Sequence, residues 1–161
     1  MTDEKTNVMR LLDGKRVKYN AYTYPCPDGA VSGTEVARLT GLPEERVFKT
    51  LVTVGKSGQH YVFVIPVAAE LHLKKAAQCS KEKSIEMIKS KDLLPLTGYV
   101  HGGCSPIGMK KRFPTFLHKT AEGLENIVFS AGKIGYQVEL NPEDLKKLTP
   151  FAYGDLVDSE E

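Results

Sequence analysis

Two apolar runs separated by a four-residue turn constrain this 161-residue chain more than any other feature. Val47 to Val54 forms the first run, Gly55-Lys56-Ser57-Gly58 follows, and Tyr61 to Ile65 returns. β-Branched and aromatic residues on either side of a glycine-bounded turn specify a β-hairpin. In the first run Val47, Lys49, Leu51 and Thr53 share one face, and Phe48, Thr50, Val52 and Val54 share the other. Both faces are mainly apolar, so this strand sits centrally and is covered on both sides. The rest of the chain must supply the two covering layers.

The flanking segments are read in the same way. Thr6 to Leu12 is a short amphipathic helix that Gly14 is expected to end. Val17 to Tyr24 alternates as a strand, and Pro25 to Gly29 is a loop. Ser32 followed by Glu35 is a capping box that opens a helix closed by Gly41. Helices are expected around Leu73 to Cys79 and Ile85 to Lys89. Short strands are expected at Thr115 to His118, Ile127 to Ser130 and Tyr136 to Leu140. Asn141-Pro142 opens a last helix to about Leu148. Hairpins outnumber regular βαβ alternation, so the expected architecture is a single α+β domain over residues 1–161, its mixed sheet curled toward a barrel and flanked by helices.

Composition serves mainly to exclude. A chain this long buries about 70% of its unfolded surface and needs no metal or disulfide staple. Cys26, Cys79 and Cys104 are an odd number and too far apart for a zinc ribbon or a CxxC redox pair. His60, His72, His101 and His118 form no ligand spacing, so neither a metal nor another cofactor is expected. No apolar run is long enough to span a membrane and the first residues do not read as a signal peptide, so a cytoplasmic protein is expected. Net charge is +2, but basic residues cluster at Lys110-Lys111-Arg112 while the chain ends in acidic Asp158 to Glu161. Such a basic rim either meets a phosphate backbone or is an ordinary solvated face.

Lys49 does not fit its surroundings. Lysine is almost never fully buried without a partner, and an ionisable group on a covered strand is a site candidate. The alternative is that its long stem carries the ammonium out to water. A second candidate is Gly102-Gly103-Cys104-Ser105-Pro106-Ile107-Gly108, where glycines let backbone approach a ligand and free N–H groups bind a carbonyl or an anion. It lacks the Walker spacing, and it also reads as a tight connection. Ser130 to Gly135 is a third glycine-bearing turn. Cys104 carries no local mark of an activated nucleophile, and no Gly-x-Ser-x-Gly elbow or GxGxxG stands in the chain.

Taken together, Gly33 to Ala37, Val47 to Leu51, Thr97 to Lys111 and Val128 to Lys133 resemble the YbaK/EbsC family of aminoacyl-tRNA deacylases, related to the editing domain of prolyl-tRNA synthetases. The likeness runs from about Val8 to Leu148. It implies a trans-editing enzyme that hydrolyses the ester of mischarged tRNA, with Cys-tRNA(Pro) the first substrate expected. On that likeness the essential lysine falls on Lys49, a pocket tyrosine on Tyr24, the glycine-loop positions on Gly102 and Gly103, and a pocket serine on Ser130, with Thr50 lining the same pocket. Lys110, Lys111 and Arg112 are placed to meet phosphates of the tRNA acceptor end. Prolyl-tRNA synthetase is a further expected partner, and the substrate thiol would assist by attacking its own carbonyl. Two positions depart from the family pattern: no aromatic stands at Val31-Ser32, and Gln137 replaces an aspartate. The residues alone leave two other readings open, a non-catalytic tRNA or synthetase binding module and a small-molecule domain for an amino acid or nucleotide.

Overall fold

The computed structural model describes residues 5–158. Ser159 to Glu161, most of the acidic tail, lie outside the described residues. The first element among the described residues is helix α1 (Asn7–Gly14), and the Thr6 hydroxyl caps it by accepting from the Met9 N–H at 3.2 Å. The reversal after α1 falls on Arg16 at φ 58°, not on Gly14 as the sequence suggested. Strand β1 (Asn20–Thr23) is shorter than the alternation from Val17 to Tyr24. Ser32 caps α2 (Gly33–Thr40) by accepting from the Glu35 N–H at 3.2 Å. The Glu35 carboxylate turns to Arg38 instead of back to the cap, so only half of the capping box forms. Gly41 closes the helix at φ 73°, as expected.

The hairpin of the sequence analysis is β2 (Phe48–Gly55) and β3 (His60–Pro66), paired in register from Phe48–Pro66 to Val54–His60. Helix α3 (Leu73–Ser80) follows as read. Ile85 to Lys89 is not a helix: Ile85–Met87 is strand β4, antiparallel to Thr53–Gly55 of β2. An unpaired strand edge offers hydrogen bonds that a three-residue segment satisfies better as strand than as an isolated helical turn. Helix α4 (Ser90–Thr97), with Pro95 inside it, stands where the sequence analysis placed no element. Strands β5 (Thr115–His118), β6 (Ile127–Ser130) and β7 (Tyr136–Leu140) stand where expected. Helix α5 (Pro142–Leu145) is shorter than expected, and strand β8 (Ala152–Gly154) closes the described fold.

These strands make two sheets. The larger has the order β4-β2-β3-β5-β8 with β3–β5 and β5–β8 parallel, and the smaller has the order β1-β7-β6, all antiparallel. The expected α+β class and mixed sheet hold, but the sheets are not closed into a barrel. β6 meets β2 through the isolated bridge Val47–Val128 alone, and neither β1 nor β8 finds a second partner. Closure needs a continuous ladder between the sheets, and here the two separate after one residue pair.

The main core lies between the sheets. Phe48, Val52, Val62, Val64 and Leu117 of the larger sheet pack with Ile127, Phe129, Val138 and Leu140 of the smaller, with Val8 and Leu12 of α1 at one side. On the other face of the larger sheet Tyr61, Phe63 and Ile65 pack on Ala76 and Ala77 of α3. β2 is therefore covered on both faces as its sequence demands. No described helix is long and apolar enough to cross a membrane.

Candidate active site

Where β2 and β6 part, a pocket of about 340 Å³ opens. One side of β2 is paired to β4 only from Thr53 to Gly55, and its first half borders the pocket. Backbone groups alternate along a strand. Val47 O accepts from Val67 N–H at 2.9 Å on the β3 side, which turns the amide and carbonyl of Thr50 toward the pocket side.

Lys49 lines this pocket and is half-buried. Among the described residues nothing ion-pairs or hydrogen-bonds its ammonium, and no aspartate or glutamate lines the pocket. Its neighbour Thr50 carries a buried Oγ1 with no hydrogen-bond partner. A buried unsatisfied hydroxyl costs about 1–3 kcal/mol, so this one is a group that a ligand or water at the pocket wall would complete. Across from β2, Ser130 and Gln137 face each other in the β6–β7 ladder. Ser130 Oγ accepts from Gly132 N–H at 3.0 Å, so its own O–H is left to donate. The Gln137 side chain is 5% exposed, lines the pocket and has no protein partner among the described residues.

The glycine loop supplies the rim. Gly102 has φ +88°, and a Cβ there would stand 2.5 Å from the Ala30 Cβ, so both its conformation and its packing require glycine. The Gly103 N–H donates to Val100 O at 2.9 Å inside the turn and is not free for a ligand. Tyr99 braces the loop from below by donating its hydroxyl to Ile107 O, and burial pushes its phenol up to about 12. Cys104 lines the pocket, but burial pushes its thiol up to about 12, so almost none is thiolate at neutral pH. Burial therefore works against Cys104 as a nucleophile.

An aminoacyl-tRNA editing domain matches residues 28–148. The chain belongs to that family. The match includes the whole pocket wall from Val31 to Gln137. The chain is 45% identical over 159 residues to a protein of Enterococcus faecalis named as a Cys-tRNA(Pro)/Cys-tRNA(Cys) deacylase, EbsC, covering 99% of this chain and 97% of that one. It is 27% identical over 99 residues to a proline–tRNA ligase of Pelobacter propionicus, covering 62% of this chain but 17% of the ligase. A solved structure described as a trans-editing enzyme for prolyl tRNA synthetase shares the fold at 22% identity, with a TM-score of 0.80 and 98% and 100% of the two chains covered.

In this editing domain the pocket brings together Lys49, Thr50, Gly102 and Ser130 of the residues read from sequence. Tyr24 is buried at 6% exposure but off the pocket wall, tied by its N–H to Gly135 O at 3.0 Å. Gly103 is packed behind the wall against the backbone of Lys133 and Ile134. Lys110 reaches Pro95 O at 3.5 Å, and Lys111 and Arg112 line a separate cavity. Gln137, noted in sequence only as a departure, belongs to the wall. The alternation of β7 and the tight turn from Ala131 to Gly135 hold the signal that places it opposite Ser130. A neighbouring network is structural. Glu139 is 4% exposed and accepts from Tyr22 at 2.7 Å and Asn20 at 3.1 Å, with Arg46 at 3.0 Å. Burial alone would raise the Glu139 carboxyl, but the hydrogen bonds from Tyr22 and Asn20 and the Arg46 charge outweigh it and hold it below its ordinary value.

Proposed function

We propose that this protein hydrolyses the ester between a wrong amino acid and the 3′-terminal ribose of tRNA, acting in trans, with cysteine on tRNA for proline as its first substrate. The observation that carries this reading is the match to EbsC, which spans almost the whole of both chains.

An aminoacyl ester is an activated bond, so positioning and charge stabilisation suffice without a strong nucleophile. Lys49 is the cation of the pocket, and no carboxylate there competes for it. Its ammonium would stabilise charge developing on the ester carbonyl or hold the terminal phosphate. The Ser130 hydroxyl, fixed by Gly132, and the unpartnered Thr50 hydroxyl would hold the amino-acid end. Gln137 would meet the side chain or the amino group with a neutral amide. With Cys104 held as a thiol, the attacking group comes from water or from the substrate's own thiol. The working place of such an enzyme is the cytoplasm, and prolyl-tRNA synthetase is the partner that would hand over the mischarged product.

Release of labelled amino acid from Cys-tRNA(Pro) and Ala-tRNA(Pro), with wild type and Lys49→Ala, tests this. Rapid release that disappears in the variant is the expected result. Binding of tRNA without release from either substrate, or from a wider panel of mischarged tRNAs, would overturn it in favour of a binding module.

A further inference from the structure

The deacylase reading leaves unused a second cavity of about 520 Å³, bordered by α1, the segment from Pro106 to Thr115 and the turn from Lys147 to Pro150. Its apolar side is formed by Leu11, Ile107, Met109, Phe113 and Leu148, and Leu11 is 36% exposed although it belongs to a helix that otherwise buries its apolar face. Its charged side holds Lys15, Lys111, Arg112 and Lys147, and no aspartate or glutamate lines it. Lys147 is paired with Asp144 at 3.4 Å, while Lys15, Lys111 and Arg112 have no ion pair among the described residues. An aromatic edge and an apolar floor under a rim of cations, three of the four without an ion pair among the described residues, are complementary to a base with its phosphate.

The place of this cavity fixes whose base it is. The segment from His101 to Pro114 lines the catalytic pocket with its first residues and the second cavity with its last. Thr115, on the wall of the second cavity, stands level with Val62 on β3, and Lys49 stands level with Ile65. Three residues along the strands and two strands across put their Cα atoms roughly 14 Å apart. That separation is the lower limit of the path, because Lys49 shares a face with Ile65 and Thr115 the opposite face with Val62; a strand whose terminal ribose sits at Lys49 reaches the cavity by following the segment from His101 to Pro114 over several extended nucleotides.

We propose that the second cavity is a nucleotide subsite for the single-stranded 3′ segment of the tRNA, taking a base against Phe113 and Met109 and the adjoining phosphates on Lys15, Lys111, Arg112 and Lys147. The subsite rests on the deacylase reading for its orientation, and its test separates the two. Lys15 and Lys147 are exposed and outside the catalytic pocket, so Lys15→Ala/Lys147→Ala leaves the fold intact; Phe113→Leu keeps an apolar side chain but removes the ring.

Binding of a fluorescein-labelled RNA hairpin with a single-stranded CCA end is measured by anisotropy over a range of salt, and hydrolysis is measured on Cys-tRNA(Pro) and on cysteinyl-adenosine. About tenfold weaker RNA binding is expected in each variant, with the double variant flattening the log–log salt slope by about 1.4 for two lost single-strand phosphate contacts. Hydrolysis of cysteinyl-adenosine is expected to be unchanged. RNA affinity and slope equal to wild type in both variants would overturn the subsite and leave the deacylase reading untouched. Equal loss on tRNA and on cysteinyl-adenosine would also overturn it, because the effect would then act through the catalytic pocket. Competition by AMP as strong as by the RNA would show a free-nucleotide site instead. Wild-type binding that the variants weaken, with no hydrolysis of either ester, would sink the deacylase reading and keep the subsite.

Discussion

Arg46, in the turn that leads into β2, and Lys49, near the start of β2, stand three residues apart, yet the fold treats their charges in opposite ways. Arg46 is built into a buried network with Glu139, and through it with Tyr22 and Asn20. Lys49 faces a pocket without a carboxylate and keeps its ammonium unpaired among the described residues. A buried charge that is paired holds two elements in register, here the approach to β2 against β7. A half-buried charge left without a partner contributes nothing of that kind and is kept for something that arrives from outside. Under the proposed function, the difference separates a scaffold cation from a working one.

The comparison breaks most visibly at Lys49 itself. Lys49→Ala is expected to lower kcat/KM on mischarged tRNA by about 10²–10³-fold, the loss typical of removing one transition-state donor. Thermal unfolding should stay within a few degrees of wild type, since no hydrogen bond or ion pair among the described residues is lost. A large fall in melting temperature would show Lys49 to be structural after all. Glu139→Gln is the mirror experiment. It leaves Arg46 partly buried without its counter-charge and should destabilise the fold by about 2 kcal/mol, a figure reduced because the Arg46 side chain keeps 32% exposure. Denaturant unfolding reads the loss, with single-turnover rates on refolded protein changing far less.

Gly102→Ala tests the rim. A Cβ 2.5 Å from Ala30 at a positive φ should cost about 2 kcal/mol and widen the pocket mouth, seen as a higher KM with a smaller change in kcat. Gln137→Glu sharpens the comparison by giving Lys49 what Arg46 already has. A carboxylate on the wall should pair with the ammonium and slow hydrolysis about tenfold at neutral pH, with partial recovery on acidification as the new carboxyl is protonated. A rate unchanged from wild type would show that the two groups do not share the pocket electrostatically.

The smallest expected effect concerns His118, which lies outside the pocket and accepts from Leu156 N–H at 3.1 Å. Burial is the main cause that lowers its pKa from the ordinary 6.5. The folded state therefore holds it neutral where the unfolded chain takes up a proton. The stability it contributes is complete above pH 6.5 and is lost as pH falls from there through the folded value. A melting temperature that declines over that window in wild type, and less steeply in His118→Gln, is the expected outcome.

Much of this was legible residue by residue. The glycine turn at 55–58 and the two apolar runs beside it dictate the central hairpin, because no other arrangement buries both faces of β2. Ser32 and Gly41 bound α2 by local chemistry alone, and Asn141-Pro142 opens α5 in the same way. Lys49 announced itself as a misfit in an apolar strand. Local pattern failed where the partner decided the structure. Ile85–Met87 became a strand because the edge of β2 was open beside it, and α4 formed where the sequence had suggested no element.

The sequence by itself determined the central strands, the caps and turns that bound them, and the one lysine out of place, since each follows from periodicity or backbone preference within a few residues. Only the tertiary structure decided that the two sheets part after the Val47–Val128 bridge instead of closing. That parting is what makes a pocket, brings Ser130 and Gln137 across from Lys49 and Thr50, and leaves Tyr24 and Gly103 behind the wall. The physical reason is that strand pairing between distant segments depends on which edges remain unsatisfied once the core has packed, and no local stretch of chain carries that information.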